Sequence, residues 1–229
     1  MSNQDSSNTT KKSTVYVALI TALAIIVGSV ILGIGGQTTT PEATPEAAPA
    51  VDLPNAGITE SNKATISFTT NQGEIVIETT PSLAPLTVNA IAALAQKNYF
   101  DNTICHRLTT ADNDPETRDI FVLQCGDPTG TGTGGPGFNI PDENLPEAVE
   151  NNYPAGTVAM ANAGPGTSGS QFFLVYQDTT LGPDYTIWGS ITSGLDILQT
   201  IASAGVVGGG ADGAPVTGVT IESTKVTIS

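Results

Sequence analysis

The 229-residue chain carries a single histidine, His106, and only two cysteines, Cys105 and Cys125. One histidine removes every metal motif that needs two, and two cysteines are too few for a disulfide-built scaffold or a zinc site. Positive charge is also scarce, with 7 Lys and Arg against 22 Asp and Glu and a formal net charge of −15. Such an excess repels phosphate backbones, and the only close basic pair is Lys11-Lys12, so nucleic acid is not an expected partner. Aromatic residues make up 5% and charged residues 13%, whereas Gly and Pro number 25 and 15. That balance excludes a bundle of long amphipathic helices and favours short strands joined by irregular turns. No internal repeat is visible, which argues against solenoids and propellers.

One long hydrophobic run is present, residues 13–36, and it contains no charge. As a helix rising about 1.5 Å per residue, its central part would span roughly 31 Å, the thickness of a bilayer core. The run exceeds the usual length of a signal-peptide core, so an uncleaved transmembrane anchor is favoured over a cleaved signal peptide. Lys11 and Lys12 precede the run, which makes 1–12 a cytoplasmic tail and exports the remainder. No cysteine follows closely, against a lipoprotein. Residues 37–63 are rich in Pro, Ala, Thr and Glu and read as a linker. The expected placement is thus a single-pass protein of the cell membrane with its domain, 64–229, outside.

That domain holds 4 basic and 17 acidic residues, a net −13. Alternating runs at 64–70 and 74–80 flank a short Gly turn and predict a hairpin. Pro85 starts a predicted helix with Leu86, Ile91 and Leu94 on its apolar stripe, and 194–204 predicts a second. Strand-like runs follow at 103–109, 120–125, 156–161, 171–176, 185–190 and 217–228. The expected fold is all-β, a closed eight-stranded antiparallel barrel capped by two α-helices, because closure removes exposed edges.

Three blocks are not explained by strand formation: CHRL (105–108), FVLQCGDPTGTGTGG (121–135) and MANAGPGTSGSQFF (160–173). Together they resemble the cyclophilin family of peptidyl-prolyl cis/trans isomerases, most of all its membrane-anchored actinobacterial members. The resemblance spans essentially all of 64–229. It implies a catalytic set of Arg107, Gln124 and Phe121, with substrate bound by Val122, Ala161, Asn162, Ala163, Gln171, Phe173, Leu181, Tyr185 and Gly132. It further implies proline-containing peptides or unfolded exported chains as partners, a monomer, and no cofactor or metal. Thr180 stands where many members have a tryptophan that hydrogen-bonds cyclosporin, so weak binding of that drug is expected. Tyr185 replaces the usual pocket histidine and Val122 a methionine, and 110–119 forms an acidic insertion. A catalytically weak peptide-binding or chaperone module on the same fold is the alternative.

Other readings are weaker. GTGTGG at 130–135 lacks the Lys-Ser/Thr ending of a phosphate loop and reads as turn geometry. Strand alternation turns His106 away from Arg107, and no G-x-S-x-G elbow is present, which disfavours a hydrolase. By the same parity Cys105 shares the face of Arg107 while Cys125 faces the other way, which favours two buried thiols over a disulfide unless a bulge intervenes.

Overall fold

The computed structural model describes residues 52–111 and 119–229. The proposed anchor at 13–36, the tail at 1–12 and most of the 110–119 insertion lie outside the described residues, among which no helix is long and apolar enough to cross a membrane. Leu53 and Ala56 pack against the core, Ile58 is buried, and the two backbone groups of Ile58 bond the side chain of Asn89. Part of the segment read as linker therefore rests on the domain.

The hairpin forms as its alternation predicts. β1 (Ala64–Thr70) and β2 (Gly73–Thr79) pair so that Ile66 faces Ile77 and Phe68 faces Ile75, all four buried. Pro85 opens α1 (Pro85–Gln96), where a missing N–H is no loss, and Glu143 accepts from the free amides of Leu86 and Thr87 at 3.0 and 2.8 Å. Leu86 is exposed, and Val88 joins Ile91 and Leu94 in the core instead. The second helix, α2 (Leu195–Ser203), follows Gly194.

The remaining strands are β3 (Thr103–Ile104), β4 (Arg107–Thr109), β5 (Val122–Cys125), β6 (Thr157–Met160), β7 (Phe172–Val175), β8 (Ile187–Ser193), β9 (Asp212–Gly213) and β10 (Thr220–Ile228). All ten join one antiparallel sheet in the order β3-β10-β1-β2-β8-β6-β7-β5-β4-β9. This corrects the expected closed eight-stranded barrel: β3 and β9 are edges of a curled sheet. The predicted strand at 103–109 is two strands, and β9, with only two residues inside a Gly-rich loop, has no alternation to betray it. An aromatic group fills the interior, with Phe172 stacked on Phe68 at 5.3 Å and edge-on to Trp188 at 5.9 Å.

The break between β3 and β4 also decides the cysteines. Cys105 and Cys125 form a disulfide, contrary to the parity argument. Residues 105 and 106 lie between the two strands, and the Cys105 amide bonds Val219 whereas that of His106 bonds Gln124. Alternation counted back from Arg107 does not run through this change of partner, so both sulfurs turn into the core.

Candidate active site

Four strands set one row of side chains on the face turned away from the core. Arg107 lies opposite Gln124, Gln124 opposite Phe173, and Phe173 opposite Ala159. Directly opposed residues of antiparallel strands project to the same side. Their chain neighbours Leu123, Phe172, Leu174, Val158 and Met160 accordingly fill the core.

At its polar end the row is a continuous hydrogen-bond chain. Nη1 of Arg107 donates to Oε1 of Gln124 at 3.2 Å, and Nε2 of Gln124 donates to Oε1 of Gln171 at 2.9 Å. Gln171 in turn donates to the carbonyls of Gly132 and Gly134, each at 2.9 Å. On its other side Arg107 is bound edge-on by Asp212, Nε to Oδ1 at 2.8 Å and Nη2 to Oδ2 at 2.7 Å. That hydrogen bonding holds the guanidinium charge more firmly against the opposing effect of burial, and keeps Asp212 below the usual carboxylate range.

The loop that receives Gln171 is built on a buried carboxylate. Asp127 is fully buried, and its oxygens accept from the amides of Thr129 (2.7 Å), Thr131 (3.2 Å), Gly132 (2.7 Å) and Gly134 (3.0 Å). The hydroxyl of Thr129 adds a bond at 2.8 Å. Burial by itself would raise this carboxyl, but donation from Gly134, Thr129 and Gly132 overrides it and holds Asp127 far below the ordinary range. The loop, with Gln124, Gln171 and residues 161–163, bounds a cleft of about 770 Å³.

At the apolar end Val122, Tyr153, Ala159, Phe173 and Val175 form a second cluster, flanked by Ile120, Ala161, Leu181, Tyr185 and Ile187. The Phe173 and Tyr185 rings meet edge-on at 5.5 Å, with Tyr153 behind both at 6.0 and 6.2 Å. Tyr153 Oη accepts from the Tyr185 amide at 3.1 Å and lies 3.2 Å from the Tyr185 carbonyl, pinning that segment. Burial pushes Tyr153 up to about 12.

Of the residues read from the sequence, the structure brings Arg107, Gln124, Val122, Gln171, Phe173, Leu181, Tyr185 and the Gly132 carbonyl to one surface. Phe121 is not among them. It packs against the main core and Tyr176, at 5.8 Å, and lines a separate cleft of about 520 Å³. Phe121 and Ile120 precede β5, and Ile120 packs against the Val122, Tyr153, Ala159, Phe173 and Val175 cluster. The Ala161 amide is taken by the Gln171 carbonyl at 2.9 Å, Asn162 Nδ2 by the Asp184 carbonyl at 2.7 Å, and the Ala163 amide by Thr167 Oγ1 at 2.8 Å. His106 lies beside Gly132 with neither ring nitrogen bonded among the described residues, and burial lowers its pKa.

Residues 65–226 match the family profile described as cyclophilin type peptidyl-prolyl cis-trans isomerase/CLD. The chain belongs to the cyclophilin family. Among curated relatives of this cyclophilin are the probable peptidyl-prolyl cis-trans isomerases B of Mycobacterium tuberculosis and Mycobacterium leprae. The first is 44% identical over 202 residues, covering 83% of this chain and 64% of the relative; the second is 44% identical over 198, covering 81% and 65%. This cyclophilin thus spans just under two thirds of those proteins' length. A solved cyclophilin of Cryptosporidium parvum superposes with a TM-score of 0.61 at 29% identity, over 72% of this chain and 98% of its own. A second structure of that protein was determined in the presence of the dipeptide Ala-Pro, with a TM-score of 0.60 at 30% identity and coverage of 71% and 98%.

Sequence reasoning missed Asp127, Asp212, Tyr153 and Ile120. Asp-Pro-Thr-Gly is a turn signal that could have flagged Asp127. Asp212, 105 residues from Arg107, carries no local signal.

Proposed function

We propose that this chain is a peptidyl-prolyl cis/trans isomerase acting on X-Pro bonds of exported polypeptides. The observation that carries the proposal is a fixed guanidinium at one end of a row of side chains whose other end is an apolar aromatic cluster. A prolyl ring suits the cluster of Val122, Phe173, Tyr185 and Ile120, which puts its imide nitrogen toward Arg107. As the amide twists, that nitrogen loses conjugation and becomes an acceptor, so a donor there binds the twisted form better than the planar one.

The uncatalysed barrier is about 18 to 20 kcal/mol, and an acceleration of about 10⁵ requires lowering it by roughly 7. One charged hydrogen bond contributes about 1.5 to 3 kcal/mol, so the groove must supply the rest by holding the flanking peptide in a twisted geometry. Gln124 fixes Arg107, and the cleft framed by residues 132–135 and 161–163 would take the chain on one side of proline.

Export rests on the apolar run and Lys11-Lys12, which favour a membrane anchor with the domain outside. A buried disulfide fits an oxidising compartment. Thr180, whose hydroxyl accepts from the Asn151 amide at 2.8 Å, offers no indole donor, which supports weak cyclosporin binding.

The test is exchange spectroscopy on an Ala-Pro peptide with catalytic amounts of the full chain, alongside titration of the labelled chain with Ala-Pro and Ala-Ala peptides. The reading expects exchange enhanced over the free peptide and Ala-Pro shifts centred on Phe173, Gln124 and Tyr185. An unaccelerated peptide refutes the activity.

A further inference from the structure

Arg107 has five N–H donors in a rigid fork. Two go to Asp212 and one to Gln124, so among the described residues one donor on Nη1 and one on Nη2 are left. The two partners come from the strands on either side. Gln124 lies directly opposite Arg107 on β5, whereas Asp212 lies opposite Thr109 on β9 and is therefore the same-face diagonal neighbour of Arg107. β9 is itself anchored: Thr110 donates to the Ala211 carbonyl at 2.8 Å, and Val207 to that of Ala214 at 2.8 Å.

We infer that Asp212 is a positioning residue for the reaction: its carboxylate clamps the Nε–Nη2 edge of Arg107 and so aims the remaining Nη donors at the prolyl nitrogen. The inference rests on the proposed function of the groove. Arg107 and Asp212 side chains are 41% and 44% exposed, so the ion pair contributes little to folding, and what it fixes is direction. A guanidinium held at one edge by Gln124 alone can turn about its long side chain, and its donors then reach the nitrogen in only a fraction of conformers.

The chain has two arginines, Arg107 and Arg118, so its Arg Nε–H spectrum holds two signals, assignable with Arg107→Lys. In the full chain, Asp212→Ala should lower kcat on an Ala-Pro peptide about tenfold with KM within about twofold. The Arg107 Nε–H signal, protected in the wild type, should be lost to exchange, and the unfolding midpoint should move by no more than about 3 °C. Asp212→Asn keeps one carbonyl acceptor and should fall between. Unchanged kcat in Asp212→Ala with active wild type overturns the clamp alone, as does a still protected Nε–H signal. A loss confined to KM overturns it in favour of direct substrate contact. An inactive wild type overturns the proposed function, and the clamp with it.

Discussion

Replacing Asp127 tests whether the groove loop is held by a buried charge. Four backbone amides and the Thr129 hydroxyl converge on this carboxylate within 3.2 Å. Charge-assisted bonds contribute about 1.5 to 3 kcal/mol each, but Thr129, Thr131 and Gly132 are exposed and their amides can rehydrate, so the sum overstates the loss. Removing one member of a buried charged network costs about 3 to 5 kcal/mol, and with that rehydration about 3 kcal/mol is expected for Asp127→Asn. Urea unfolding at neutral pH reads this directly, and hydrogen exchange should show the Gly132 and Gly134 amides losing protection. The pH dependence has a definite sign. Because the folded carboxyl sits below its unfolded value of 3.8, its stabilisation is present above that value and is lost as pH falls toward the folded one. Asp127→Asn should lack that component of acid destabilisation. A variant as stable as wild type, with Gly132 and Gly134 still protected, would refute the reasoning.

Three further outcomes follow from other parts of the fold. Reducing the Cys105–Cys125 disulfide, which closes a loop of 20 residues, should cost about 3 kcal/mol, read as a lower unfolding midpoint under reductant that Cys105→Ala/Cys125→Ala reproduces without it. Gly126 has φ +89 and no room for a Cβ against the Ser170 carbonyl, so Gly126→Ala should destabilise by at least about 2 kcal/mol in denaturant melts. Burial pushes Tyr153 and Tyr176 up to about 12, so in a spectrophotometric titration these two should stay un-ionised at pH 11. Stability should then fall above pH 10, where the unfolded chain loses those protons first.

The parts of the fold legible in the sequence are those with a long local pattern. Seven alternating residues define β1, and Pro85 with its apolar stripe defines α1. The two-residue strands β3 and β9 are fixed by partners distant in sequence, so no local pattern marks them. Parity served within a strand and failed across a break: it groups Val122 with Gln124, yet misassigns Cys105 because the chain changes partners at 105–106. Motif likeness singled out Arg107, Gln124 and Phe173, which the sheet sets in one row. It also named Phe121, which lies just before β5 and packs against the main core and Tyr176. The membrane anchor and the acidic insertion rest on the sequence alone.

The central claim is that Arg107 stabilises the twisted prolyl amide rather than merely binding the peptide. The direct measurement is the cis/trans exchange rate of a saturating Ala-Pro peptide on wild type and on Arg107→Ala, with the peptide dissociation constant measured for both. The account predicts that the catalysed rate falls at least about a hundredfold while affinity changes by no more than a few-fold. Equal catalysed rates at equal affinity would contradict it.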